Sequence, residues 1–126
     1  MLRLLLDSHT LFWAVSDAPS LSPRARTLLL DQDNEVFFSP VSLYELVFKA
    51  HRGRAPEAAL HLPEAAIASG FVELGLTSRH LIHAARLNWN HGDPWDRILV
   101  AQATLEDLLL VSIDDKLDEQ TDRRRW

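Results

Sequence analysis

The sequence predicts an α/β fold: three layers, α/β/α, around a central parallel sheet of four or five strands. Three observations predict it. Short apolar runs alternate with longer helical patterns along the chain, the mark of a parallel sheet covered by helices on both faces. Two of the runs, Leu2–Leu6 and Leu108–Ile113, are continuous rather than alternating, as in strands buried on both sides. Each of those two closes on a carboxylate, Asp7 and Asp114. In open parallel sheets the crevice lies at the carboxyl ends of the strands, so the topology makes two distant acids candidate neighbours.

The elements run in order along the chain. Residues 2 to 6 form the first strand, and Ser8 is placed to cap a helix through Leu11, Phe12, Trp13 and Val15. Asp17-Ala18-Pro19 breaks it. Ser22-Pro23 restarts a helix, with Ser22 as N-cap and Pro23 in the first turn. Val36–Ser39 is the second strand. Pro40 opens a mostly apolar helix to about Ala50, closed by Gly53. Pro56 to about Ser69 reads as one further helix, with Pro63 as a point where it can split, and Gly70 stops it. Phe71–Leu74 is the third strand. Thr77 caps a helix through Leu87. Asn88–Gly92 is a polar loop, and Asp93-Pro94 opens a helix to about Glu106. Leu108–Ile113 is the fourth strand. The last dozen residues are polar, with a weak fifth strand at Arg125-Trp126.

At 126 residues and 47% apolar content, the chain is expected to form one domain over 1–126 with a real core. It has no cysteine, which excludes disulfides and thiolate metal sites. The N-terminal apolar run is too short for a signal-peptide core, and no stretch is long enough to span a bilayer. The expectation is a cytoplasmic protein with no membrane partner. A net charge of −5 argues against nonspecific coating of nucleic acid. It leaves room for a nuclease, whose metal-holding acids count toward that total. The basic residues are local: Lys49, Arg52 and Arg54 form one group, and Arg123, Arg124 and Arg125 another.

Four carboxylates stand where core is expected: Asp7, Glu45, Asp96 and Asp114. Buried ionised carboxylates are costly unless paired or bound to metal. If the fold gathers them, an acidic pocket for a hard divalent cation is the natural use. Each has a plainer alternative. Asp7 and Asp114 can be turn formers, and Asp115 rivals Asp114. Asp96 falls in the first turn of its helix, a favourable place for a negative charge. Glu45 is the hardest to explain away, because Val41, Leu43, Tyr44, Leu46, Val47 and Phe48 surround it. An ion pair with Lys49 four residues on is worth only about 0.2–0.5 kcal/mol.

The remaining candidates are weaker. Asp93 reads as a helix cap. His80 and His83 share a helix face without a third ligand at zinc spacing. His9 is close enough to Asp7 to line a pocket. Trp13, Trp89 and Trp95 read as core or interface aromatics. Arg123–Arg125 reads as a solvated tail, with phosphate tracking as the alternative.

With the four acids in hand, the chain resembles PIN-domain ribonucleases and, among them, the VapC toxins of bacterial toxin–antitoxin pairs. The segments that carry the resemblance are residues 5–13 around Asp7-Ser8-His9-Thr10, residues 39–46 around Ser39-Pro40 and Glu45, Asp93-Pro94-Trp95-Asp96-Arg97, and residues 110–114 ending at Ser112-Ile113-Asp114. Leu21–Arg26 matches the family's second-helix start. The resemblance runs nearly end to end with its anchors in order. It implies that Asp7, Glu45, Asp96 and Asp114 are the metal-binding and catalytic acids. Ser112 falls at the family's hydroxyl position before the last acid, where Thr is more usual. Ser8 and Trp95 replace the commoner Thr and Phe and keep their character.

The resemblance further implies a metal-dependent endoribonuclease using Mg²⁺ or Mn²⁺, a homodimer, and a small antitoxin that inserts into the active-site groove. Ser8, Ser112 and Arg97 are expected to support the metal ligands from behind. The antitoxin is expected near residues 9–30, where Leu11, Phe12, Trp13, Leu28 and Leu29 offer apolar surface, and to reach the acidic cleft. Core packing is the alternative use of those five. Two rival functions are a metal-dependent phosphohydrolase of a small substrate and an inactive PIN-like interaction module.

Overall fold

The computed structural model describes residues 1–126. The chain runs β1 (Arg3–Leu6), α1 (Ser8–Val15), α2 (Pro23–Leu30), β2 (Glu35–Phe38), α3 (Pro40–His51), a 3-10 helix (Glu57–His61), α4 (Leu62–Ala68), β3 (Val72–Glu73), α5 (Ser78–Ala85), α6 (Pro94–Leu105), β4 (Leu109–Val111), a second 3-10 helix (Asp115–Glu119) and β5 (Arg124–Arg125). The five strands form one sheet in the order β3-β2-β1-β4-β5. Every pairing is parallel. The fold is therefore the three-layer α/β/α arrangement that the alternating pattern predicts.

Local chemistry sets the element boundaries. Ser22, Ser39, Thr77 and Asp93 cap α2, α3, α5 and α6 through side-chain oxygens, and proline opens α2, α3 and α6. Gly53 and Gly70 take φ of +70° and +81° just beyond α3 and α4, which lets the chain leave each helix in the left-handed conformation. The α1 cap differs from expectation. It is Asp7, whose Oδ1 accepts from the Thr10 amide at 2.9 Å, and not Ser8, which is the first helical residue. The helix expected over 56–69 is instead two pieces. A 3-10 segment gives way to α4 at Leu62, so that Pro63 falls in the first turn of a new helix, where its missing N–H costs nothing. The strands are shorter than the apolar runs, and the fifth lies one residue earlier than expected.

Strand alternation divides the core. Leu4 and Leu6 of β1 join Val36, Phe38, Leu11, Leu46 and Leu62 on one face. Leu5 joins Phe37, Leu99, Val100, Leu108 and Leu110 on the other. Most of the apolar surface expected over 9–30 is taken by the first cluster. Leu11 is fully buried, and Phe12, Trp13, Leu28 and Leu29 pack against that cluster, while Leu30 stays 73% exposed. No helix is long and apolar enough to cross a membrane.

The order of strands fixes where a functional crevice can form. From central β1 the chain builds outward through β2 and β3, then returns to the other side of β1 for β4 and β5. The reversal lies between β1 and β4, so the crevice expected of such sheets opens beyond Leu6 and Val111.

Candidate active site

A cavity of about 110 Å³ lies at that place, lined by Asp7, Ser8, His9, Glu45, Asp93, Asp96, Ile113 and Asp114. The four acids singled out from sequence come from four different elements and meet here. Asp7 follows β1, Glu45 is in the middle of α3, Asp96 is in the first turn of α6, and Asp114 follows β4. Asp115 is exposed at the start of the second 3-10 helix and does not line the cavity.

Asp7 is the most enclosed. Its Oδ2 accepts from the Ser112 hydroxyl at 2.5 Å and its Oδ1 from the Thr10 amide. Burial pushes its carboxyl above the ordinary value of 3.8, and the hydrogen bonds from Ser112 and Thr10 oppose that push. Ser112 is fully buried, and its Oγ also accepts from the Asp114 amide at 3.0 Å. One hydroxyl thus braces both strand-end acids.

Glu45 is 8% exposed. Ser8 donates to its Oε1 at 2.6 Å, and Lys49 donates to its Oε2 at 2.6 Å. The pairing with Lys49 anticipated from the i,i+4 spacing is present, but it sits on the rim of the acidic cavity. Ser8 also contacts Ser42 at 3.2 Å.

Asp96 is held from the loop before α6. His91 Nε2 lies 2.7 Å from its Oδ2. Burial raises the Asp96 carboxyl, the His91 hydrogen bond opposes this, and the charges of Asp93 and Asp114 raise it further. Asp93 accepts from the Trp95 and Asp96 amides as the α6 cap while also lining the cavity. His91, Asp93 and Asp96 each present a ligand-capable atom within 4.8 Å of the others. The polar-loop reading of 88–92 passed over His91. Its spacing five residues before Asp96 is the only trace in the sequence.

Arg97 touches no acid. Its guanidinium donates to the carbonyls of Leu87 at 2.7 Å, Trp89 at 2.9 Å and His91 at 3.3 Å. It fixes the loop that presents His91, so its support of the site is indirect. The other sequence candidates resolve differently. His80 is buried, with Nδ1 facing the Thr77 amide at 3.0 Å and Nε2 facing Glu106 at 2.8 Å. Both ring nitrogens are thereby occupied, and His80 does not share a metal with His83. Trp89 is core, with its indole N–H on Glu119. The C-terminal arginines are no solvated tail: Arg123 pairs with Asp107, and Arg124 pairs with Asp118 and bonds the Ser112 carbonyl.

The donor chemistry of the cavity fits a divalent cation. Five carboxylates line it, no lysine or arginine does, and two of those carboxylates are desolvated enough to be pushed up. An oxygen-rich set of this kind suits a hard ion.

The model of the PIN domain matches residues 4–122. The chain belongs to the PIN domain family. Among curated proteins, none matches its sequence. Solved structures share the fold of this PIN domain. VapBC2 from Rickettsia felis, bound to a DNA fragment from its promoter, matches with a TM-score of 0.71 and 15% identity, over 94% of this chain and 92% of that one. DNA-bound VapBC from Salmonella typhimurium matches with 0.70 and 23% identity, over 99% and 96%. VapC20 from Mycobacterium tuberculosis, a toxin that cleaves the sarcin–ricin loop, matches with 0.68 and 17% identity, over 98% and 99%.

Proposed function

We propose that this PIN domain is a metal-dependent endoribonuclease and the toxin of a toxin–antitoxin pair. The observation that carries the reading is the convergence of Asp7, Glu45, Asp96 and Asp114 on one cavity at the switch point of the sheet. RNA as the substrate class is supported by likeness of fold to VapC20, a toxin that cleaves the sarcin–ricin loop.

The four acids would hold Mg²⁺ or Mn²⁺. Such an ion supplies charge neutralisation at a phosphodiester and lowers the pKa of a water. The chain's own contribution is preorganisation. Ser112 and the Thr10 amide hold Asp7 in one rotamer, Ser8 and Lys49 hold Glu45, and His91 holds Asp96. Lys49 also places a positive charge at the rim, which favours approach of a phosphate.

The reading includes a homodimer acting in the cytoplasm. It also includes a small antitoxin bound near residues 9–30, with a basic side chain reaching the cleft. Leu30 and the shallow depression formed by Ala14, Leu21, Leu29 and Phe71 favour that surface. A small phosphorylated compound is the competing substrate, favoured only by the small volume of the cavity. The complete acid set speaks against an inactive module.

The test is cleavage of RNA alongside a panel of phosphorylated metabolites. Cleavage is expected to vanish in EDTA, to return with Mg²⁺ or Mn²⁺, and to leave 5′-phosphate and 3′-hydroxyl ends. Full cleavage in EDTA, or 2′,3′-cyclic phosphate ends, would show that the chemistry lies elsewhere.

A further inference from the structure

Two helices build the rim of the acidic cavity, and each does so with an adjacent pair of residues. On α3, Tyr44 precedes Glu45. On α6, Trp95 precedes Asp96. The acids turn into the cavity and the aromatics meet across the seam between the helices, with Tyr44 and Trp95 centroids 5.7 Å apart. Trp95 packs against the second core cluster, so this end of the seam is fixed.

From there a row continues along α3 at one-turn intervals. Phe48 stacks on Tyr44 with centroids 5.6 Å apart and planes 19° from parallel. Arg52 sets its guanidinium 5.0 Å from the centre of the Phe48 ring. Tyr44 is 59% exposed and Phe48 44%. Near-parallel rings at that separation are offset, which leaves part of each face open to solvent. The core does not use these two rings, and a contiguous exposed aromatic row marks an interaction surface.

The chemistry of the row selects its occupant. A polyanion entering a cavity lined by five carboxylates needs flat apolar faces for its bases and cations for its phosphates. The row offers both. Arg52 covers Phe48, Lys49 reaches Glu45 at the rim, and exposed His51 and Arg54 extend the positive end of α3. This is the group Lys49, Arg52 and Arg54 that stands out in a chain of net charge −5. Interleaved aromatic and cationic side chains beside a nucleic-acid site bind single strands by stacking, without regard to sequence. A guanidinium lying on Phe48 occupies the kind of face that a base would take.

We infer that the row Trp95–Tyr44–Phe48–Arg52 is the track on which unpaired RNA nucleotides stack as the strand enters the acidic cavity. The inference rests on the ribonuclease reading above and adds to it. What it adds is how the strand is held: unpaired bases stack on these rings while the cations at the end of α3 meet the phosphates.

The test is binding of a short, unstructured, labelled RNA by fluorescence anisotropy in an Asp7→Asn background, where cleavage is blocked. Tyr44→Ala and Phe48→Ala are each expected to weaken binding by about five- to one-hundred-fold. Tyr44→Phe, which keeps the ring, should restore it. A duplex of the same sequence should bind weakly and respond little to these variants. Sedimentation of the same variants separates the row from a subunit interface. Wild-type RNA affinity in Tyr44→Ala and Phe48→Ala overturns the inference while leaving the nuclease reading intact. Loss of RNA binding only in step with loss of a dimer also overturns it, and assigns the row to a second copy of the chain. A parent protein that binds no single-stranded RNA overturns both readings together.

Discussion

The two walls of the acidic cavity are built by different means. Asp7 and Glu45 form a closed wall. Both are nearly buried, and each carboxylate is fixed by a hydroxyl donor plus one further donor. Asp96 and Asp114 form an open wall at the N-termini of helical segments, partly exposed. Asp96 is held by one histidine, and Asp114 caps the second 3-10 helix through the Lys116 amide. The closed wall fixes geometry with paired donors, while the cost of desolvation falls on one acid of each wall, Asp7 and Asp96. The open wall leaves its carboxylates partly exposed to what enters. The closed wall should therefore govern whether an ion binds, and the open wall how the bound ion meets its substrate.

The largest effect should come from breaking the closed wall. Asp7→Asn and Glu45→Gln keep shape and remove charge. Each is expected to lower ribonuclease activity by at least about 100-fold, since several kcal/mol of charge stabilisation depend on the ion. Asp114→Asn should cost less, and Asp115→Asn should cost little. Circular dichroism checks that the variants fold. Equal losses in Asp7→Asn and Asp114→Asn would erase the distinction between the walls. A larger loss in Asp115→Asn than in Asp114→Asn would reassign the fourth acid.

A smaller effect concerns stability and pH. Burial raises the Asp7 and Asp96 carboxyls above 3.8. The folded protein then holds protons that the unfolded chain has released. Stability from this source is complete below the unfolded value and is lost as pH rises through the folded one. Metal-free wild type should therefore lose ground to Asp7→Asn as pH rises from the unfolded value toward neutrality. Melting temperatures in a chelator across that range test it. A difference between the two proteins that stays constant with pH would mean Asp7 does not titrate as its burial requires. Mn²⁺ at a hundredfold excess over its Kd should restore about 2.7 kcal/mol to wild type. It should restore much less to Asp7→Asn.

The closed wall was largely legible in the sequence, and the open wall only in part. Asp7 could be placed because a continuous apolar run ends on it, and Glu45 because apolar residues crowd its helix, although two of them, Tyr44 and Phe48, form the exposed face. Both signals arise from burial, which sequence pattern reports well. The brace of Ser112 on Asp7 spans 105 residues, and no periodicity encodes it. His91 escaped because its partner becomes its neighbour only after Arg97 folds the loop back on the carbonyls of 87–91. Asp7 rather than Ser8 became the α1 cap for a related reason. Asp and Ser cap equally well by type, and the Ser8 hydroxyl is taken by Glu45, a contact between the end of β1 and α3 that only the sheet order creates. The split of the 56–69 segment turned on one proline, whose own preference for a first turn was the clue.

The smallest effect sharpens the comparison within the closed wall itself. Lys49 is the one cation that touches either of its acids, and its side chain is 40% exposed. A half-exposed i,i+4 pair contributes little, up to about 1 kcal/mol. Lys49→Met keeps the aliphatic stem and removes the charge. In metal-free protein it should lower stability by no more than that amount, because Glu45 keeps the Ser8 hydroxyl but loses its counter-charge. With Mn²⁺ present the loss should shrink, since the ion then supplies the positive charge that Glu45 lacks. Chemical denaturation of both proteins with and without Mn²⁺ measures the difference. A loss that grows when Mn²⁺ is added would show that Lys49 stabilises something other than Glu45.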